Sequence, residues 1–355
     1  MRHRGLMEFL LLPASWLYGG VTCLRNLLFD CGLKKQESFP IPVISVGNIT
    51  VGGTGKTPHT ELLVEMLRGR MGLAVLSRGY GRRTRGYILA GTDADAWQIG
   101  DEPMQIHVKY PDIAVAVCED RCEGVRRLMS DVAPQAVILD DAFQHRHIRP
   151  SLNILLVDWN RNIMNDRMLP SGRLRESVSG RKRADLVIVT KCPAGLTGSQ
   201  MDSFRKTLCL REGQDLFFSK LEYGTPYSFA DRSPFNIKEG DDVLLVTGIA
   251  RPDALRKELE RAGAKVRMME FGDHHDYTVN DIDSIGKCLN DMPEGAYAVT
   301  TEKDQSKLIK LNRDKAFGFR MVVMPVRARI ENDEALFLNL IESHVTNLEN
   351  NKISD

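Results

Sequence analysis

A doubly wound α/β fold is predicted by three features of this 355-residue chain. Short runs rich in Val, Ile and Leu recur through its first two-thirds: "PVISVGNI", "AVLSRGY", "IAVAVCED", "AVILDDAF", "NILLVDW" and "DLVIVTK". They lack strict apolar/polar alternation, as strands buried on both faces of a mostly parallel sheet do. Segments of helical length separate them, and the first run passes through a glycine-rich turn into a helix-patterned stretch.

Ahead of that strand, Phe9 to Leu24 ("FLLLPASWLYGGVTCL") carries no charge and is flanked by Arg2 and Arg4 before it and by Arg25, Lys34 and Lys35 after it. Broken by Pro13 and Gly19-Gly20, it is shorter than the roughly 20 residues of a spanning helix. A helix lying in the bilayer interface suits it, with Trp16 and Tyr18 near headgroup level and the arginines toward anionic lipid. A signal peptide and a hairpin packed on the protein's own core are the alternatives.

The turn after the first strand reads Gly52-Gly53-Thr54-Gly55-Lys56-Thr57-Pro58. Glycines at 52, 53 and 55 free the backbone to aim N–H groups at an anion, Lys56 brings a positive charge to the β/γ-phosphates, and Thr57 offers a hydroxyl to Mg²⁺. Pro58 fits a first helical turn. This is a P-loop in outline, except that Thr50 stands at the first glycine of the strict G-x-x-x-x-G-K-S/T pattern. A glycine-rich turn before an ordinary helix is the plainer alternative. Export would carry such a loop away from cytosolic ATP, which argues against the signal peptide.

Functional residues of a doubly wound sheet gather at the carboxyl ends of strands, where Gly53, Asp140, Asp141 and Asp158 fall. "VILDDAFQHR" puts two aspartates directly after a strand, as a magnesium site beside a P-loop requires. "IGDEPMQ" offers Asp101 and Glu102, which an N-cap and first-turn acid explain equally. "LPSGRLRES" presents Arg173, Arg175 and Glu176, usable as a phosphate clamp and a metal or arginine partner.

After about residue 217 the loop "TPYSFADRSPFNIKEGDD" marks a boundary. A second α/β set follows: "DVLLVTGIA", a helix from Pro252 to Ala262, "AKVRMMEF", a helix near Val279 to Leu289, "AYAVTTEKD" and a late strand "RMVVMPVRARI". "FGDHHDYT" gives Asp273, His274, His275 and Asp276, and a histidine with a carboxylate partner is a credible general base. "TEKD" follows a strand and reads equally as a helix cap. The tail "NLENNKISD" is expected to fray.

A net charge of +1 argues against wholesale nucleic-acid binding, despite the clusters Arg78 to Arg85 and Arg181-Lys182-Arg183. Seven cysteines without C-x-x-C spacing give no disulfide or zinc framework and suit reduced thiols in the cytosol.

Taken in order, "VGNITVGGTGKTP", "SRGYGR", "GDEP", "DDAFQHR", "LPSGRLRE", "VTK", "TGIARP", "FGDHHDYT" and "TEKD" resemble the tetraacyldisaccharide 4′-kinase family from the apolar N-terminus to about residue 330. The resemblance implies a P-loop NTPase-like fold with a second, smaller α/β domain and an N-terminal membrane-docking helix. It divides the chain at 1–35, 36–221, 222–335 and 336–355. It implies ATP and Mg²⁺ as cofactors, a lipid A precursor as acceptor and an anionic membrane surface as partner, with no nucleic acid and no obligate protein partner. The location it implies is the cytoplasmic face of the bacterial inner membrane, peripheral or monotopic. By motif, Lys56 and Thr57 hold phosphates and Mg²⁺, Asp141 and Glu176 belong to the metal environment, and Asp101 pairs with His274 to activate the sugar hydroxyl. Asp140, Gln144, His145 and Arg175 match active-site positions. Ala142 stands where the family commonly has glycine. A membrane-associated ATPase switch of the partitioning type, and a non-catalytic nucleotide-binding scaffold, are the other readings.

Overall fold

The computed structural model describes residues 10–250, 252–314 and 316–353, so Arg2 and Arg4 lie outside the described residues. Helix α1 (Leu12–Asp30) leads to β1 (Val43–Gly47), α2 (Lys56–Leu67), β2 (Leu73–Ser77), β3 (Ile88–Leu89), the short α3 (Ala96–Ile99), α4 (Asp101–Lys109) and β4 (Ala114–Val117). Next come α5 (Arg121–Asp131), β5 (Ala136–Asp140), β6 (Leu152–Asp158), β7 (Leu186–Thr190), α6 (Gly198–Leu208) and β8 (Asp215–Tyr223). The chain continues with β9 (Tyr227–Ser228), β10 (Asp242–Thr247), α7 (Asp253–Arg261), β11 (Lys265–Glu270), α8 (Val279–Asn290), β12 (Tyr297–Thr301), α9 (Glu302–Asp314), β13 (Met321–Met324), β14 (Val326–Ile330) and α10 (Glu334–Ile353).

Two sheets result. The larger runs β14-β8-β7-β6-β1-β5-β2-β4-β3, parallel from β8 to β4 and antiparallel at both edges. The smaller runs β11-β10-β12-β13-β9, with only β9 antiparallel. All six runs read as buried strands lie in the large sheet, and β1, β2, β5, β6 and β7 are buried along their whole length. One face of β1, through Ile44 and Val46, packs with Leu63, Val64 and Leu67 of α2 and with Phe337, Ile341 and Val345 of α10.

The late run from 320 to 330, read as one strand, is two. Met321–Met324 pairs in the small sheet and Val326–Ile330 in the large one. Pro325 between them has no N–H to give a ladder, and the chain changes sheets there. The last helix runs on to Ile353, where fraying was expected. From Leu12 the apolar N-terminal run forms one helix through Gly19-Gly20, with no hairpin among the described residues, and Phe9 at its start lies outside them.

Gly47 closes β1 against the loop after β5. A Cβ there would lie 2.7 Å from Phe143 Cβ and 2.9 Å from its backbone N, so only glycine lets the two loops approach this closely. Behind the phosphate loop, His59 of α2 is 1% exposed, its Nδ1 2.7 Å from Gly55 O and its Nε2 2.7 Å from Ser219 Oγ of β8. Both bonds are met when Nδ1–H donates and Nε2 accepts from the serine hydroxyl. Burial lowers its pKa to about 4. The unfolded chain therefore binds the proton more readily between about pH 6.5 and 4, so this contribution is present above pH 6.5 and lost as pH falls toward 4, amounting to about 3 kcal/mol. Unfolding measured across that window should show a shallower loss of stability with acid in His59→Gln than in wild type. Parallel curves would contradict the neutral buried imidazole.

Candidate active site

The phosphate loop leaves β1 at its carboxyl end, the switch point where β1 lies between β5 and β6. Gly52 and Gly55 have φ of 102° and 86°, which a side chain would resist, and Gly55 caps α2 in the left-handed region. Lys56, Thr57 and Pro58 are the first three residues of α2, where the N–H groups of Lys56 and Thr57 have no helical partner and the positive end of the helix dipole favours an anion. Asn48 Nδ2 donates to Thr54 Oγ1 at 2.7 Å, Thr190 Oγ1 donates to Thr54 O at 2.8 Å, and Lys191 Nζ bonds Gly53 O. Thr50, the departure from the strict motif, forms an antiparallel bridge with Leu174, flanked by Val51 N–H on Arg173 O and Arg175 N–H on Ile49 O. A residue in that extended pairing needs no positive φ, so glycine is not required.

The loop after β5 brings the acids in. Asp141, at φ 46°, receives Arg175 Nη1 at 3.2 Å on each oxygen and lies 3.6 Å from Lys56 Nζ. Gln144 Nε2 donates to Asn48 O at 2.6 Å and to Glu176 Oε1 at 2.9 Å. Glu176 is fully buried, and its Oε2 takes Arg183 Nη2 at 2.8 Å and Asn26 Nδ2 of α1 at 3.0 Å. Asp140, also fully buried, accepts from Thr60 Oγ1 of α2 at 3.0 Å. Burial, then Glu102 and Asp141, pushes its pKa up to about 7. His145 turns away, accepting from Arg121 N–H at 3.3 Å, and burial with Arg121 lowers it to about 4.

Asp101 and Glu102 open α4, and Gly100 before them has φ 92°. From the loop after β11 of the other sheet, His274 Nδ1 reaches Asp101 Oδ2 at 3.0 Å, so the two residues predicted to pair do meet. Lys307 Nζ, from α9, shares that oxygen at 3.0 Å. His274 has φ 61° and stands edge-on to Tyr80 with ring centroids 6.2 Å apart. His275 instead bonds Asp281 Oδ2 at 3.1 Å and stacks on Phe271. For Glu102, beside Asp101, burial raises the pKa, Lys56 opposes that rise, and Asp141 adds to it. TEKD is both a cap and a link, because Asp304 accepts from Gly248 N–H at 3.1 Å and from Thr301 Oγ1 at 2.7 Å.

Sequence reasoning left Lys191, Arg183, Asn26 and Lys307 without roles. Lys191 closes "VTK", but nothing in the run says that its ammonium folds back 2.9 Å from Asp158 Oδ2 and onto the phosphate loop. Lys307 stands one helical turn after Lys303 of TEKD, a spacing that puts both on one face.

Comparison with known proteins places the chain in a family. The family model described as Tetraacyldisaccharide-1-P 4′-kinase (LpxK) matches residues 7–346. The tetraacyldisaccharide 4′-kinase of Phocaeicola vulgatus is 44% identical, across 94% of each chain. That of Bacteroides thetaiotaomicron is 45% identical, across 84% of this chain and 82% of its own. A crystal structure of the "apo" form of LpxK from Aquifex aeolicus, in complex with ATP, superposes with a TM-score of 0.77 at 31% identity, covering 96% of this chain and 99% of that one. Matches of this extent lead to one assignment: the chain belongs to the tetraacyldisaccharide-1-P 4′-kinase family.

Proposed function

We infer that the chain transfers the γ-phosphoryl group of ATP to the 4′-hydroxyl of a tetraacyldisaccharide 1-phosphate, a step of lipid A biosynthesis. The observation that carries this reading is the meeting of two half-sites, a phosphate loop on one sheet and Asp101 paired with His274 of the other. Phosphoryl transfer to a hydroxyl needs positioned cations and a group that takes the hydroxyl proton. A partitioning-type ATPase switch is not favoured, because it would carry lysine at position 51, where this chain has valine.

Lys56 and the N–H groups of Gly52, Gly53, Thr54 and Gly55 hold the phosphates, with Pro58 fixing the backbone at the start of α2. Thr57, Asp141 and Glu176 would hold Mg²⁺, which supplies charge neutralisation on the phosphates. The donor set fits a hard cation in kind, since a hydroxyl and two carboxylates offer oxygen ligands; Lys56 and Arg175 now neutralise Asp141, and Glu176 is buried with Gln144, Arg183 and Asn26 on its oxygens and one lone-pair position left on Oε1. Arg175 and Gln144 position Asp141, Asp140 anchors the loop to α2, and His145 supports it from behind. As the hydroxyl oxygen bonds the γ-phosphorus and the bond to the β,γ-bridging oxygen breaks, the hydroxyl proton passes to the Asp101–His274 pair.

Helix α1 supports membrane docking. Its inner face bonds the active-site loops through Tyr18 Oη on Arg175 O at 2.8 Å and Ser15 Oγ on Ser171 Oγ at 2.9 Å. Its outer face leaves Trp16 72% and Leu17 73% exposed, with Val21, Leu24 and Leu27 also exposed, an apolar stripe with no partner among the described residues. Beside it runs a groove of about 480 Å³, lined among others by Leu12, Trp16, Met168, Leu174 and Val178, which suits acyl chains. Among the described residues no helix is long and apolar enough to cross a membrane. We assign the chain to the cytoplasmic face of the inner membrane, with residues 1–35 docking, 36–221 as the P-loop unit, 222–335 as the smaller unit that returns β14 to the large sheet, and 336–355 as the closing helix and tail.

Given γ-labelled ATP, Mg²⁺ and tetraacyldisaccharide 1-phosphate in detergent, the protein should move label into the lipid, and Lys56→Ala should lower kcat/KM on the order of a hundredfold or more, about 3 kcal/mol of transition-state stabilisation. Label found only as inorganic phosphate, or a folded Lys56→Ala of near-wild-type rate, would overturn the reading. The triple variant Trp16→Glu, Leu17→Glu, Leu24→Glu keeps the inner face of α1. It should bind anionic vesicles more weakly and raise KM for lipid while KM for ATP holds; undiminished vesicle binding would contradict docking by this face.

A further inference from the structure

We infer that Lys307 is a positioning residue for the transfer, fixing which oxygen of Asp101 meets the acceptor hydroxyl. Lys307 Nζ is 3.0 Å from Asp101 Oδ2 and donates to His275 O at 2.9 Å, and its side chain is 6% exposed. A buried ammonium loses its hydration, and the loss is recovered only where an anion and further acceptors surround it. Both conditions are met at Asp101. Because His274 Nδ1 and Lys307 Nζ converge on Oδ2, Oδ1 is the oxygen left to accept a proton. When the hydroxyl oxygen bonds phosphorus and ADP leaves with the electrons of the broken P–O bond, the hydroxyl hydrogen passes as a proton to Oδ1.

The two donors differ in rigidity. His274 sits on a loop at φ 61° with its side chain 43% exposed. Lys307 rises from the middle of a thirteen-residue helix whose neighbouring lysines are also engaged: Lys303 Nζ bonds Asp273 at 2.9 Å, and Lys310 Nζ bonds Asp95 at 2.6 Å while standing 4.5 Å from the centre of the Trp97 ring. Positions 303, 307 and 310 share one face of α9. Of these three, Lys307 is the one that reaches the acid proposed to take the proton. A carboxylate anchored through one oxygen by a helix-borne ammonium keeps its other oxygen within the narrow range that in-line transfer needs.

This inference rests on the Asp101–His274 pair as proton acceptor and takes Asp101 Oδ1 as its receiving atom, so the test carries Asp101→Asn alongside. Initial rates are measured with ATP and tetraacyldisaccharide 1-phosphate in detergent for wild type, Lys307→Ala, Lys307→Gln, Asp101→Asn and Lys307→Ala/Asp101→Asn. Lys307→Ala should lower kcat on the order of ten- to a hundredfold with KM for ATP within about twofold. Ethylammonium should restore a substantial part of the loss, and adding Lys307→Ala to Asp101→Asn should cost little more, since groups acting as a unit are not additive. If Lys307→Ala does not fold, Lys307→Gln carries the same comparison. A kcat within about twofold of wild type, or a loss that is additive with Asp101→Asn and unmoved by ethylammonium, would overturn the role of Lys307. Near-wild-type turnover by Asp101→Asn would instead remove the base assignment and the inference with it.

Discussion

Lys109 sits where three helices meet. It closes α4, 2.6 Å from Glu61 of α2 and 2.9 Å from Glu302 at the start of α9, all three side chains below 10% exposed. One cation between two buried acids leaves an excess negative charge, and the group responds: burial pushes Glu61 up to about 7 against the pull of Lys109, with Glu302 adding to the rise. Burial opposes the lysine charge, but Glu61 and Glu302 outweigh it and hold Lys109 above its ordinary range. A buried ion pair is rarely the most stabilising choice, yet breaking it is costly, so it fixes geometry more than it adds stability. Here the geometry fixed is that of the phosphate-loop helix against a helix of the other sheet.

The proposed catalytic arrangement follows from that alignment. Helix α2 carries Lys56 and Thr57 at one end and Glu61 a turn later, while α4 carries Asp101 at one end and Lys109 at the other. Helix α9 carries Glu302 at its start and Lys307 over Asp101. Tyr227 Oη on Gln305 Oε1 at 2.7 Å and Arg232 Nη1 on Val108 O at 2.7 Å extend the same seam. Behind the phosphate loop, the chain Asn26–Glu176–Gln144–Asn48 links the apolar α1 to β1 through hydrogen bonds. A helix whose apolar face has no partner among the described residues is thus bonded to the loops proposed to hold the phosphates.

The parallel strands and the phosphate loop were legible because their signals are local. Uninterrupted Val/Ile/Leu runs report burial on both faces, and glycines at 52 and 55 report the positive φ that the turn requires. The Asp101–His274 pair, 173 residues apart in sequence, was reached through resemblance, since nothing in either segment names the other. Long-range charge partners were not legible: Lys109 reads as an ordinary basic residue at a helix end, and Lys307 as one of several lysines on an amphipathic helix. The split at Pro325 was missed because "RMVVMPVRARI" is strand-like throughout, and only pairing shows that its halves serve different sheets. Thr50 departs from the strict motif as the resembling family's loop does, and its bridge to Leu174 supplies the physical reason.

The most direct test of this alignment is the turnover of Lys109→Met/Glu61→Gln, which removes the central cation together with one of its acids and touches none of the residues that meet ATP or lipid. The expected result is a folded protein that binds ATP with nearly unchanged Kd and phosphorylates lipid on the order of tenfold more slowly, because Asp101 and the phosphate loop no longer keep their register. An unchanged kcat in the folded variant would contradict the claim that this buried charge seam aligns the two halves of the site.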